Sequence, residues 1–211
     1  MMKQKIFNFN SKINYSNEDF FVSSSNKNAF DYILLSDIFK NIILKGPSKS
    51  GKSHLGTLWI KKYNSIIYSE SEYYNILSQK NNIFIDNFIS DHDEEDMFHV
   101  INHAINNNLR ILIAIEKSIS QLNIKLQDLL SRLNSFHFVE IMNPDEILMN
   151  NILMKLLNDK QISINNSEVF SYITNRINRT YLDMYQIVEK IDKFSLEKKR
   201  QITIPLIKEI I

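Results

Sequence analysis

The stretch Gly46-Pro47-Ser48-Lys49-Ser50-Gly51-Lys52-Ser53, followed by His54, has the spacing G-x-x-x-x-G-K-S. That spacing suits phosphate. Glycine admits backbone angles that a Cβ resists, so successive N–H groups can converge on phosphate oxygens ahead of a helix N-terminus. Lys52 would reach the terminal phosphates and the Ser53 hydroxyl would ligate Mg²⁺. All three glycines of the 211-residue chain fall between positions 46 and 56, so the chain keeps glycine where a backbone must wrap a triphosphate. An acid at the end of a neighbouring strand is also needed, to hold Mg²⁺ through water. Asp86 closes the apolar run Asn82-Ile-Phe-Ile and supplies it. ADP or ATP with Mg²⁺ is the implied ligand.

Groups that would split the nucleotide are less evident. The position after Asp86 is Asn87, and an amide cannot accept a proton from an attacking water as a carboxylate can. The run Arg110-Ile-Leu-Ile-Ala114-Ile115 ends in apolar residues, with only Glu116 available to touch a γ-phosphate. Further on, Leu182 stands where an arginine facing the nucleotide is expected, with Arg176 and Arg179 nearby. Such a site holds a nucleotide more readily than it hydrolyses one. Arg132, in Asp128-Leu-Leu-Ser131-Arg132-Leu133, is read differently. At a helix end before the last strand it has the place of an arginine finger inserted into a neighbouring subunit's site. A solvated helix arginine is the plainer alternative.

These residues need a scaffold. Apolar runs at 42–45, 66–69, 83–86, 110–115 and 136–141 read as strands, separated by helical patterns at 54–63, 72–77, 97–105 and 126–133. Alternation with short links predicts a parallel α/β sheet with helices on both faces. After Pro144 only helices are expected, at 145–157, 167–178, 182–194 and 205–211, with Pro205 suited to a first turn. The expected division is an arm at 1–28, an α/β P-loop domain at 29–143 and a small all-helical domain at 144–211. With 44% apolar and 23% charged residues, a net charge of +1 and no cysteine, composition excludes disulfides and gives no bulk attraction to nucleic acid or membrane. No apolar run has the length of a membrane span and the N-terminus lacks a signal peptide's apolar core, so a cytoplasmic protein is expected. His99 and His103, one turn apart near the acids of 91–96, lack a metalloprotease pattern. Those acids are read as a helix N-terminus.

An α/β P-loop domain followed by a helical lid resembles AAA+ proteins, and the detail resembles the DnaA family, in particular its short Hda-type branch. Glu18-Asp-Phe-Phe-Val22-Ser-Ser-Ser-Asn26 is similar to the segment that packs on adenine in that family, which assigns Val22 and Asn26 to the base. The P-loop, the run 83–87, the stretch 128–133 and the tail Lys199-Arg200-Gln-Ile-Thr-Ile-Pro205-Leu-Ile-Lys208 fit as well. The resemblance implies a five-stranded AAA+ sheet and an ADP-binding regulator of replication initiation. Such a regulator would attach to the DNA-loaded sliding clamp and press Arg132 into ATP-bound DnaA. It also implies a clamp-binding peptide at the N-terminus, here Gln4, Phe7 and Phe9, with Lys5 in place of the usual leucine. Sequence-specific DNA binding is not expected, since the chain ends where DnaA would continue into a helix-turn-helix. A homo-oligomer is compatible with this reading. Two other functions stay open: an autonomous P-loop ATPase, and a DnaA-like adaptor that recruits replication proteins without triggering hydrolysis.

Overall fold

Strands without a polar face are buried on both sides, and three of the five strands of this chain obey that, while the two edge strands leave Ile67 and Phe138 exposed. The computed structural model describes residues 20–88, 93–164, 167–198 and 202–211; Gln4, Phe7 and Phe9 lie outside them. Strands β1 (Asn41–Lys45), β2 (Ile66–Ile67), β3 (Ile83–Ile85), β4 (Ile111–Ile115) and β5 (His137–Glu140) form one sheet in the order β2-β3-β4-β1-β5. All pairings are parallel; β4 is the middle strand and β1 lies between β4 and β5, with Ile43 opposite Ile113 on one side and Phe138 on the other. The expected α/β class and parallel five-stranded sheet are what the chain has. β1 begins one residue before its apolar run, and the other four strands are shorter than theirs, because pairing stops before the residues that turn into loops.

The two faces of the sheet build two cores. Ile43, Ile83, Ile85, Ile111 and Ile113 face α4 (Glu94–Asn106) and α5 (Gln127–Asn134), with Ile76 of α3 (Tyr73–Ser78) at the edge. Ile42, Leu44, Phe84, Leu112 and Val139 face α2 (Lys52–Tyr63) and a helix that sequence reading did not register. That helix is α1 (Lys27–Phe30), continued by a π-helical turn Asp31–Leu35, and it buries Ala29 and Ile33 one turn apart. Its signal was that i, i+4 spacing, masked by the polar residues before it.

Beyond β5 come α6 (Glu146–Asp159), α7 (Ser167–Thr174), α8 (Tyr181–Lys198) and α9 (Ile204–Lys208), with Pro205 in the first turn of the last. They share a core of their own, including Leu153, Ile173, Ile187, Ile191 and Ile207. No helix among the described residues is long and apolar enough to cross a membrane. Asp145 starts α6, its carboxylate accepting from the Leu148 N–H at 2.8 Å and from the Ser24 hydroxyl at 2.8 Å. The segment before α1 is thereby tied to the start of the helical region, and the Met142 N–H donates to Ser25 O at 3.0 Å.

Two consequences can be measured. A Cβ on Gly56 of α2 would lie 2.0 Å from the Phe84 ring, so Gly56→Ala is expected to destabilise by about 1–3 kcal/mol or more as an overpacked core. The thermal midpoint should fall by roughly 2–4 °C per kcal/mol. Asp145 provides a pH dependence. The Leu148 N–H, with the surrounding serines, holds its pKa down at about 2. A pKa depressed on folding stabilises fully above the unfolded value of about 4 and loses that contribution as pH falls through the folded one. Asp145→Ala should therefore cost about 1 kcal/mol at neutral pH, as helix caps do. The gap to wild type, followed by denaturant unfolding, should shrink between about pH 4 and 2.

Candidate functional site

Between β1 and α2 the chain turns through residues 46–51, and the turn is held by its own backbone. Gly46 N–H donates to Ile115 O at 3.2 Å and Ser50 N–H to Pro47 O at 3.2 Å. Two of its residues adopt left-handed angles, Lys49 at φ 63° and Gly51 at φ 92°. Gly46 does not: it is required for space, since a Cβ there would lie 2.6 Å from Ser50 Oγ and 3.1 Å from Ile141. Gly51 carries the conformational demand alone among the glycines. The Ser50 hydroxyl is buried with no hydrogen-bond partner among the described residues, which costs free energy.

The loop opens onto a cavity of about 460 Å³, in the size range of small-molecule sites. Ser48, Lys49, Ser50, Gly51, Lys52, Ser53 and His54 line it from the loop and the first turn of α2. Lys52 Nζ donates to Gly46 O and Pro47 O, both at 2.8 Å. Burial lowers the Lys52 pKa, while the nearby carboxylates of Glu116 and Asp86 act to raise it. Asp86 after β3 and Glu116 after β4 both line the cavity, so the carboxyl ends of neighbouring strands bring acids to the loop lysine. Asn87 also lines it, at φ 51°.

The opposite wall comes from elements distant in sequence. Leu148, Ile152, Lys155, Leu156 and Asp159 present one face of α6, and Tyr181 and Tyr185 one face of α8. Phe20, Phe21 and Asn26 close the side nearest α1. Phe20 stacks on Phe30 with centroids 5.8 Å apart, meets His54 edge-on at 5.4 Å, and lies over Gly51. Asn26 is buried and works within its own turn: Nδ2 donates to Phe21 O at 2.8 Å and Oδ1 accepts from the Ser23 N–H at 2.8 Å. Tyr181 is 1% exposed, with its hydroxyl donating to Met142 O at 3.1 Å. Burial pushes its pKa up to about 12.

Residues expected at the site divide accordingly. The loop from Ser48, with Lys52, Ser53, His54, Asp86 and Asn26, is brought to one cavity. Gly46 and Pro47 lie behind it as the carbonyls that hold Lys52. Val22 is 45% exposed and does not line the cavity; Phe20 and Phe21, beside it in sequence, do. Leu182 is 44% exposed. Neither arginine near it reaches in: Arg176 sits 3.5 Å over the Tyr172 ring and Arg179 is 3.5 Å from Glu146. Sequence reasoning missed Lys155, Tyr181 and Tyr185, whose only signal was membership of helices that had to cover something.

Arg132 stands apart. It lies in the last turn of α5, exposed, outside its own cavity, and it forms no side-chain hydrogen bond or ion pair among the described residues. Of the acids expected near His99, Asp93 caps α4 and Glu94, Glu95 and Asp96 form its first turn, the Asp93 carboxylate accepting from the Glu95 and Asp96 N–H groups, while Asp91 lies outside the described residues. The His103 ring nitrogen is 2.8 Å from Gln79 O.

Residues 151–211 match the family model for the lid domain of Hda. An uncharacterized protein of Haemophilus influenzae is 26% identical over 183 residues, covering 79% of each chain. Among solved structures, domain III of the replication initiation protein DnaA from Thermotoga maritima matches with a TM-score of 0.74 at 18% identity, over 95% of this chain and 99% of that one. The AMPPCP-bound DnaA of Aquifex aeolicus matches with a TM-score of 0.66 at 20% identity, over 88% of this chain and 68% of that one.

Proposed function

We propose that this chain, a DnaA-like AAA+ protein with an Hda-type lid, binds ADP or ATP and regulates chromosomal replication initiation. In this reading it stimulates hydrolysis of DnaA-bound ATP together with the sliding clamp, supplying Arg132 in trans. It divides the chain into an arm at 1–28, a nucleotide-holding domain at 29–143 and a lid at 144–211. Gln4, Phe7 and Phe9 are its clamp-binding peptide.

The residues present fit a nucleotide. The orphan Ser50 hydroxyl, the left-handed backbone at Lys49 and Gly51, and Lys52 form a cradle of donors for phosphate oxygens. Phe20, Phe21, Leu148 and Ile152 offer apolar surface to a base. Ser53 and Asp86 are hard oxygen donors of the kind Mg²⁺ takes. Bound there, Mg²⁺ would neutralise phosphate charge. The Aquifex aeolicus relative in fold carries AMPPCP, which supports the same class of ligand here.

One observation carries the regulatory reading: the arginine suited to phosphoryl transfer is exposed, without a side-chain partner among the described residues, and outside its own cavity. The chain's own site offers Asn87 where a water-activating acid is expected, and no arginine of the described residues lines it. A guanidinium absent from its own site and available at the surface suits another protein's nucleotide. Arginine fingers of this kind are worth roughly 10³–10⁵ in rate.

The test is the hydrolysis rate of DnaA-bound ATP with DNA-loaded clamp, with and without this protein. Acceleration is expected, and Arg132→Ala should abolish it while leaving the fold and ADP affinity intact. Full activity in that variant would remove the finger assignment. No acceleration by folded, ADP-loaded wild type would leave an adaptor that recruits without triggering hydrolysis. Lys52→Ala should weaken ADP binding by roughly 10–100-fold, the worth of a hydrogen-bonded charge, read by calorimetric titration. Unchanged ADP affinity would count against the loop as a phosphate site.

A further inference from the structure

We propose that Lys49 and Tyr185 form a latch through which the lid engages the phosphate end of the cavity. The proposal rests on the nucleotide reading above. Lys49 Nζ lies 5.4 Å from the centre of the Tyr185 ring, within the range over which a ring face attracts a cation. Both residues line the cavity, one from the tip of the loop and one from α8. Lys49 is also one of the few non-glycine residues at positive φ, a backbone state that L residues adopt uncommonly. The turn therefore fixes where its side chain departs.

What α8 brings to the loop is a ring and not a guanidinium. Arg176 is taken up by Tyr172 and Arg179 by Glu146, while Leu182 is turned to solvent. The polarity of the contact is thus reversed, with the cation on the loop and its acceptor on the lid. An ammonium has three N–H donors, so one resting over a ring keeps others for phosphate oxygens. A phosphate that immobilises Lys49 strengthens its hold on Tyr185, and a closed lid in turn holds Lys49 for phosphate. Such coupling is reciprocal by linkage.

Calorimetric titration of the full chain with ADP tests this, using Tyr185→Leu, Tyr185→Phe, Lys49→Met and the double variant Lys49→Met with Tyr185→Leu. A half-exposed cation–π contact predicts that Tyr185→Leu weakens ADP binding about two- to fivefold. The same change should add nothing in the Lys49→Met background, and Tyr185→Phe, which keeps the ring, should stay near wild type. Equal losses from Tyr185→Leu in both backgrounds would overturn the latch, as would a Phe variant that falls as far as Leu. Thermal midpoints of the four variants and the wild type without nucleotide separate the two readings. A wild type that binds no ADP but shows non-additive midpoints overturns the nucleotide reading and keeps the Lys49–Tyr185 contact. ADP binding with additive losses overturns the latch and keeps the nucleotide.

Discussion

Tyr181 carries the constraint on which the cavity depends. Its ring belongs to the same buried cluster as Leu44, Trp59 and Phe84, although it stands at the start of α8. Leu148, Met149 and Met184 join that cluster from the helical region. The sheet's upper face therefore leaves part of its apolar surface to be covered by the lid. The hydroxyl of Tyr181 bonds the backbone of Met142 just beyond β5, so burial and one directional bond together set how α6 and α8 stand over the loop. Fully burying an aromatic side chain is worth about 1.5–3 kcal/mol, and here that energy is spent across the line between sheet and lid.

With the lid so placed, the cavity has two chemical ends. One consists of the loop, Lys52 and the strand-end acids Asp86 and Glu116; the other is made of Phe20, Phe21, Leu148 and Ile152. Asn26, beside Phe20 and Phe21 in the lining, is consumed by the turn it holds. That end presents surface more than hydrogen bonds, so a base there would be gripped by packing. At the polar end Lys52 is held by carbonyls of its own loop. Phosphate would exchange partners with those carbonyls, with no need to order a free chain.

Much of this was legible from local chemistry. The glycine spacing, the apolar runs and Asp86 at a strand end are facts about neighbours in sequence, and backbone sterics turns them into a loop, strands and a register. The α/β class followed from them because β1, β3 and β4 are apolar on both faces. Gly46 shows the limit. Its spacing singled it out, but the reason for glycine there is the space occupied by Ser50 and Ile141, not a backbone angle. The helix across residues 27–35 was hidden because it begins within the polar stretch 23–28.

By itself the sequence determined the spacing of a glycine loop with Lys52 and Ser53, and that a parallel sheet precedes a helical region. The tertiary structure decided which residues complete the site. Lys155, Tyr181 and Tyr185 face the loop across more than a hundred residues of chain, while Val22 and Leu182 turn outward. The physical reason is that a helix shows its apolar stripe in sequence but not the surface that will cover it. Which face meets the loop is settled by burying Tyr181 against the sheet, a contact no local pattern encodes.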